Sequence, residues 1–384
     1  MFFIIIKLYS GGNKMKFKKI LSFLCLPILA ISFTSCGKAN ESVESSLITG
    51  DNNIVQQVNV NFNTATPDVK PTTMQEAINS VFNSVVTIEA SLNDGTSAGA
   101  GVLVGYTGTD SYIMTCHHVI ADATELNVIL SDGEKYSATL VGGDYKTDIA
   151  VIAINKIDLT YATLAEASST PALGSSVFAI GNPLGTLGGS VTSGIISATS
   201  REITTSDGTT MNLMQTDAAI NSGNSGGGLF NTNGQLIGIV NAKYSATGVE
   251  GLGFAIPMST AIPISSELIT KGYIEGRYNL GITIANSGFF PYISAVDKNG
   301  CAYNKLKVND VISSIKIIHA DGSESEQLNI SFGTSTSEIY YFINSTKCSL
   351  GDTFAFEVQR GRYTSTSTQV INVLLTQYKY TIAD

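Results

Sequence analysis

The chain has 384 residues, 43% of them hydrophobic and only 14% charged, with a net charge of −9. That length suits one large domain or two ordinary ones, and so little charge excludes a disordered acidic tail or a coiled coil. Binding to nucleic-acid phosphates needs clustered Lys and Arg, and no such cluster follows the first twenty residues, so nucleic acid is not an expected partner.

The N-terminus reads as an export signal. Met15-Lys16-Phe17-Lys18-Lys19 is basic, and Ile20 to Phe33 is an apolar run of signal-peptide length. It is short of the roughly 20 apolar residues that a membrane span needs. Phe33-Thr34-Ser35-Cys36-Gly37 then resembles a bacterial lipobox, with Phe33 where Leu is usual. The resemblance implies lipidation at Cys36 and attachment to the membrane through that lipid; ordinary signal cleavage nearby is the alternative. Residues 1–14 lie ahead of this signal, and Gly11-Gly12 fits a translated ribosome-binding site, with Met15 as the start. Of five Cys, Cys116, Cys301 and Cys348 remain beyond the signal, without CxxC spacing, so neither a disulfide framework nor a zinc signature is expected.

Residues 37–73 are rich in Asn, Ser, Thr and Val, with Pro67 and Pro71, and read as a flexible tether. At Met74 the pattern changes. Met74, Ala77, Ile78, Val81 and Phe82 share one helical face, which predicts a short helix over 74–82. Apolar or β-branched runs follow at Val85–Glu89, Ala100–Val104, Tyr112–Thr115, Glu125–Leu130, Ile149–Ile154 and Ser176–Ile180. Turn pairs separate them: Asp94-Gly95, Asp132-Gly133, Asp207-Gly208 and Asn233-Gly234. Many short strands with Gly-containing turns and no βαβ rhythm predict a mainly β barrel or sandwich. A helical stretch covers Ser259–Gly272, with Pro263 expected to interrupt its first turn. A smaller unit follows, with strands at Leu280–Ile284, Val311–Ile318, Phe354–Gln359 and Val370–Leu375 and a helix over Ser337–Asn344.

The sharpest chemical motif is Asp217-Ala218-Ala219-Ile220-Asn221-Ser222-Gly223-Asn224-Ser225-Gly226-Gly227. A nucleophilic Ser needs an exposed Oγ on a tight turn and backbone N–H groups aimed at the developing oxyanion. Flanking glycines permit such a turn, and the amides of Gly223 and Ser225 are the expected oxyanion donors. Taken alone, the segment is also compatible with a plain surface loop, the lesser of the two readings. A Ser nucleophile also needs a base, and only three His are present. His319, beside the turn pair Asp321-Gly322, reads as a surface residue. Thr115-Cys116-His117-His118-Val119 directly follows a strand, and one of its two His can face a cleft. The acid that fixes the His tautomer is best sought in Lys146-Thr147-Asp148-Ile149-Ala150-Val151; Asp144, after Gly142-Gly143, looks more like a turn residue. His118, Asp148 and Ser225 fall in the order His, Asp, Ser of chymotrypsin-like proteases.

Several segments together resemble the HtrA/Deg serine proteases, in family order from about Met74 to Gly272. They are Thr-x-x-His-Val, Thr-Asp-Ile-Ala-Val, Ile180-Gly181-Asn182-Pro183-Leu184-Gly185, Val191-Thr192-Ser193-Gly194-Ile195-Ile196-Ser197, Gln215-Thr216-Asp217-Ala218-Ala219-Ile220-Asn221 before Gly-Asn-Ser-Gly-Gly, and Gly251-Leu252-Gly253-Phe254-Ala255-Ile256-Pro257. The resemblance implies a chymotrypsin-like double β-barrel over 74–272 and makes His118, the His before Val, the base. It places Ile220 and Tyr244 in the specificity pocket, implying cleavage after small or medium apolar residues. Ser222 and Gly228 stand where the family often has Pro, and the short segment between Val85 and Gly101 leaves no room for a long regulatory loop.

The family commonly carries PDZ domains after the protease, and 276–384 has room for one. Arg277-Tyr278-Asn279-Leu280-Gly281-Ile282 resembles the carboxylate-binding loop, so Tyr278, Asn279, Leu280 and Gly281 are its expected residues. Leu306-Lys307-Val308-Asn309-Asp310-Val311-Ile312 resembles a segment that usually reads Gly-Asp-Val-Ile, and Phe356-Glu357-Val358-Gln359-Arg360-Gly361 the last strands. A PDZ groove adds a peptide as a strand; the alternative is a small β domain that only packs or spaces. The resemblance as a whole implies an extracytoplasmic serine endopeptidase acting on unfolded or damaged proteins and hydrophobic C-termini. It also implies a homotrimer formed through the region of Met74–Phe82, and no cofactor or metal. A non-catalytic chaperone or peptide-binding lipoprotein on the same scaffold is the competing reading, as is an unrelated β-fold ligand-binding lipoprotein.

Overall fold

The computed structural model describes residues 61–63, 70–181, 189–204, 209–242, 251–288, 290–361 and 367–382. The export signal, Cys36, most of the tether, the Asp207-Gly208 turn and Tyr244 lie outside the described residues.

Short runs of β-branched residues between Gly-containing turns form antiparallel hairpins, because each turn reverses the chain within a few residues. After β1 (Asn61–Phe62) and α1 (Met74–Val81) come β2 (Val85–Leu92), β3 (Gly95–Thr107), β4 (Asp110–Cys116), the one-turn helix α2 (His117–Ile120), β5 (Glu125–Ile129), β6 (Lys135–Asp144) and β7 (Ile149–Ile154). The sheet order is β1-β3-β2-β5-β6-β7-β4, and β4 also pairs with β3, so β2 to β7 close into a six-stranded barrel. The second sheet uses β8 (Thr163–Leu164), β9 (Ser176–Gly181), β10 (Ser190–Thr204), β11 (Thr210–Thr216), β12 (Gly228–Asn231), β13 (Gln235–Val240) and β14 (Gly253–Pro257). Pairing of β12 with β13 closes β9 to β14 into a second barrel. This is the chymotrypsin-like double barrel. One apolar cluster fills the first barrel and runs into the second, where Phe178 and Phe230 stack at 5.5 Å.

Helix α1 begins at an N-cap Thr73 that accepts a hydrogen bond from the Glu76 amide, the side-chain oxygen meeting an N–H with no partner inside the helix. Helix α3 (Met258–Lys271) ends at Gly272, whose φ of 80° is the left-handed conformation that closes helices. It runs unbroken through Pro263, contrary to the expected interruption. Pro263 is exposed, so the one hydrogen bond it removes lies on the solvent side, where water replaces it.

A third sheet, β15 (Ile282–Asn286), β16 (Pro291–Val296), β17 (Val311–Ile318), β18 (Leu328–Asn329), β19 (Thr353–Arg360) and β20 (Ser367–Leu374), has the order β15-β16-β17-β19-β20 with β18 on β17. It forms its own core with α4 (Thr336–Ser345), which starts in a capping box between Ser335 and Glu338. Asn309, where the family segment usually has Gly, has φ of 71°, a left-handed conformation that Asn tolerates best after Gly. Beyond β20 the chain leaves this sheet. Tyr378 and Tyr380, 5% and 6% exposed, join the apolar cluster of the first barrel.

Candidate active site

Three segments meet between the barrels. Helix α2 follows β4 and is a single turn, which has no stability of its own. Its start is fixed by Asp148: the His117 amide donates to the Asp148 carbonyl at 2.9 Å, and the His118 amide to Asp148 Oδ1 at 2.9 Å. Asp148 sits between β6 and β7 with φ of 56°, a strained conformation that Asp accepts more readily than most residues.

His118 Nδ1 lies 2.6 Å from Asp148 Oδ2, and His118 Nε2 lies 2.9 Å from Ser225 Oγ. An ionised carboxylate only accepts, so Nδ1 carries the proton and Nε2 is left to accept from the Ser hydroxyl. Asp148 is 2% exposed. Burial alone would push its carboxyl up, but the hydrogen bonds from His118 and the charge of that imidazole outweigh burial and hold it below the usual carboxylate range.

Sequence reasoning missed Asn241. It stands directly after β13, and its Nδ2 donates to Asp148 Oδ2 at 2.8 Å from a fully buried position. The available signal was a polar residue closing the apolar run Leu236 to Val240. Asp144 is the turn residue expected, its Oδ2 accepting from the Thr147 amide at 3.3 Å and the Thr147 hydroxyl at 2.7 Å, and it has a second, distant partner. It ends β6, is fully buried, and accepts two hydrogen bonds from the Arg277 guanidinium at 3.2 Å each, so its carboxylate is committed away from His118. The remaining His also lie elsewhere: His117 packs its ring on Tyr380, and His319, 29% exposed beside the Asp321-Gly322 turn, pairs with Asp352 at 3.0 Å.

The Ser225 turn is pinned from both barrels. Ala100 of β3 donates to the Ser225 carbonyl at 2.8 Å, and the Gly226 amide donates to Val240 of β13 at 2.9 Å. Gly226 has φ of 84°, and a Cβ there would stand 2.1 Å from the Ala100 carbonyl oxygen, so only glycine fits. The Ser225 Oγ also accepts from the Ala242 amide at 3.2 Å. Gly223 has φ of 95°, and among the described residues no acceptor takes the Gly223 or Ser225 amide.

Ile220, 8% exposed, packs in the second-barrel cluster. A Cβ on Gly253 would stand 2.6 Å from its Cγ1, so Gly253 keeps the facing wall open. The segment before Ile220 is held by Asp217, whose Oδ1 accepts from the Ile195 amide at 2.6 Å, and by the Ala219 carbonyl, which accepts from Thr192 Oγ1 at 3.0 Å. A Cβ on Gly194 would meet Asp217 Oδ1 at 2.2 Å. The Val191–Ser197 and Gln215–Asn221 motifs are therefore two sides of one brace.

Tyr278 to Gly281 lead into β15. Leu280 is buried, Gly281 has φ of 65°, and its amide donates to Asn279 Oδ1 at 2.9 Å. The Tyr278 carbonyl accepts from Tyr145 of the first-barrel segment at 2.8 Å. Next to the free edge of β15, the Ile284 amide donates to the hydroxyl of Tyr340 on α4 at 2.8 Å.

Donor atoms of Cys116, His118 and Asp148 lie within 4.8 Å of one another. Two ligands of one tetrahedral zinc stand roughly 3.3 Å apart, whereas His118 Nδ1 and Asp148 Oδ2 are 2.6 Å apart. The pair is arranged as a hydrogen bond.

Residues 99–239 match the trypsin-like peptidase domain family. The chain is 40% identical over 267 residues to the serine protease Do-like HtrA of Lactococcus lactis subsp. cremoris, covering 60% of this chain and 63% of that protein. It is 40% identical over 230 residues to a probable periplasmic serine endoprotease, DegP-like, of Rickettsia prowazekii, covering 56% and 44%. A crystal structure of the serine endoprotease from Yersinia pestis aligns at a TM-score of 0.47 with 31% identity, over 80% of this chain and 98% of that one. The chain thus spans about half to three fifths of the length of the curated relatives it matches.

Proposed function

Because the chain belongs to the HtrA/Deg family of serine proteases, with a trypsin-like peptidase domain within it, we propose that it is a serine endopeptidase that cleaves unfolded or damaged proteins outside the cytoplasm. The observation that carries this is the continuous relay from Asp148 Oδ2 through His118 to Ser225 Oγ, at 2.6 and 2.9 Å.

Ser225 Oγ attacks the scissile carbonyl while His118 Nε2 takes its proton. Asp148 and Asn241 keep the imidazole oriented, and Asp148 stabilises the imidazolium that forms. The amides of Gly223 and Ser225 take the oxyanion. His118 then gives its proton to the leaving amine, and water hydrolyses the acyl-enzyme by the same steps in reverse. Ile220, and Tyr244 by the family resemblance, form a pocket suited to small or medium apolar side chains. In this reading residues 74–272 are the protease and 276–384 a PDZ-like unit whose β15 edge adds a hydrophobic C-terminus as a strand, with Tyr278 to Gly281 holding its carboxylate. Cys36 carries a lipid that attaches the exported chain to the cell envelope by the tether 37–73, and the region of Met74–Phe82 joins three copies.

The test is casein cleavage by the full chain beside Ser225→Ala, with a fluorophosphonate probe on both. Cleavage and labelling of the unaltered chain, absent in the variant, support the reading. Failure of the unaltered chain to cleave and to label would leave a non-catalytic peptide-binding protein.

A further inference from the structure

Past β20 the chain leaves its third sheet. Residues 376–382 cross back to the first barrel and reach the helix that carries His118. The Tyr380 hydroxyl donates to the Ile120 carbonyl at 2.8 Å across 260 residues of sequence, in a buried position. Its ring meets His117 edge-on, with centroids 4.5 Å apart. Space for that stack depends on Gly143 of β6, where a Cβ would stand 2.8 Å from His117 Cδ2 and 3.1 Å from Tyr380 Cδ1. Two residues earlier, the Tyr378 ring packs edge-on against Tyr145 at 5.4 Å, and its amide donates to Arg277, the residue that pairs with Asp144. The tail is anchored at both ends, by Gln377 Nε2 on the Ile274 carbonyl at 2.8 Å and by Thr381 Oγ1 on Asn299 at 2.8 Å.

Helix α2 is four residues long and has no side-chain cap at its start. A single turn cannot fix its own orientation, and its last carbonyls have no partner within the helix. Asp148 holds its first amides, and its last carbonyl, that of Ile120, is shared between the Ala123 amide at 3.3 Å and the Tyr380 hydroxyl at 2.8 Å. The imidazole of His118 sits between these two attachments, while Tyr378 steadies the strand end that leads into Asp148. Among the tail's described residues, none touches the reacting atoms.

We propose that Tyr380 is a positioning residue for His118, acting through His117 and Ile120, so that residues 376–382 belong functionally to the protease site. The proposal rests on the serine-hydrolase reading above. It concerns the tail itself and requires no peptide in the third-sheet groove.

The test compares the full chain with Tyr380→Ala and Tyr380→Phe, well below the melting temperature of each. Four quantities are read: kcat, KM, the rate of fluorophosphonate labelling at Ser225, and the far-downfield proton resonance of the His118–Asp148 hydrogen bond. Misplacement by about 1 Å can cost a hundredfold in rate; Tyr380→Ala is expected to lower kcat and labelling by about tenfold, with KM within about twofold. The downfield resonance should broaden or shift. Tyr380→Phe keeps the ring on His117 and loses one hydrogen bond, so a smaller loss of roughly two- to fivefold is expected. Should Tyr380→Ala fail to fold, Tyr380→Phe carries the test alone. A lower melting temperature with kcat, labelling and the downfield resonance unchanged would overturn the proposal and leave Tyr380 a packing residue. No labelling of the unaltered chain would instead overturn the hydrolase reading, and the proposal with it.

Discussion

Asn241 Nδ2 and His118 Nδ1 converge on a single oxygen, Asp148 Oδ2, at 2.8 and 2.6 Å. The Asp therefore has its orientation set from the second barrel as well as from the helix it serves. Asn241→Ala removes one donor to a buried charge, an interaction of about 1.5–3 kcal/mol. We expect kcat to fall by roughly tenfold or more, with KM little changed, in steady-state peptide hydrolysis.

Asp148→Asn should be far more severe, because the amide presents the wrong partner to Nδ1 and favours the wrong imidazole tautomer. A loss of about 10⁴ in kcat is expected with the fold intact, checked by kinetics beside circular dichroism.

The lowered carboxyl of Asp148 also sets a pH window. Its folded-state value lies below its unfolded one, so the folded state binds fewer protons there. Its contribution to stability is present above the unfolded value, near 4, and is lost as pH falls through the folded value. The difference in melting temperature between the unaltered chain and Asp148→Asn should shrink as pH falls below about 4.

Arg277 holds the fully buried Asp144. Arg277→Met leaves that carboxylate without its counter-charge, which costs about 3–5 kcal/mol in comparable pairs. Pairing it with Asp144→Asn, which removes the charge but keeps an acceptor for the Thr147 amide and hydroxyl, should recover much of the loss in urea unfolding.

In the proposed PDZ-like reading, the Tyr340 hydroxyl occupies an Ile284 amide that a peptide strand on the β15 edge would otherwise take. Tyr340→Phe frees that donor. Hydrophobic C-terminal peptides are expected to bind roughly two- to tenfold more tightly to the variant, the worth of one hydrogen bond, measured by fluorescence polarisation.

The strands were legible wherever local pattern decides structure: Ile149–Ile154 and Val311–Ile318 run as their β-branched sequences predict. His118, Asp148 and Ser225 stood out because each sits in a short motif with its own turn chemistry, and the structure brings these three together. Asn241 and Tyr380 did not stand out. Their partners lie 93 and 260 residues away in sequence, and neither sits in a motif that announces a role. Asp144 was legible as a turn residue, but its ion pair was not, since Arg277 is 133 residues distant. Pro263 misled in the other direction: a local rule against proline in helices holds less strictly on a solvent-facing side.

The base and its acid belong to one barrel and the nucleophile to the loop of the other. No strand need break for the relay to fail, since a slip of one barrel past the other by an ångström would part His118 Nε2 from Ser225 Oγ. In the proposed reading, activity is thus a gauge of how the two sheets sit across the apolar cluster they share. On gentle heating or in mild denaturant it should vanish while the β-sheet signal in the far ultraviolet is still that of the native chain.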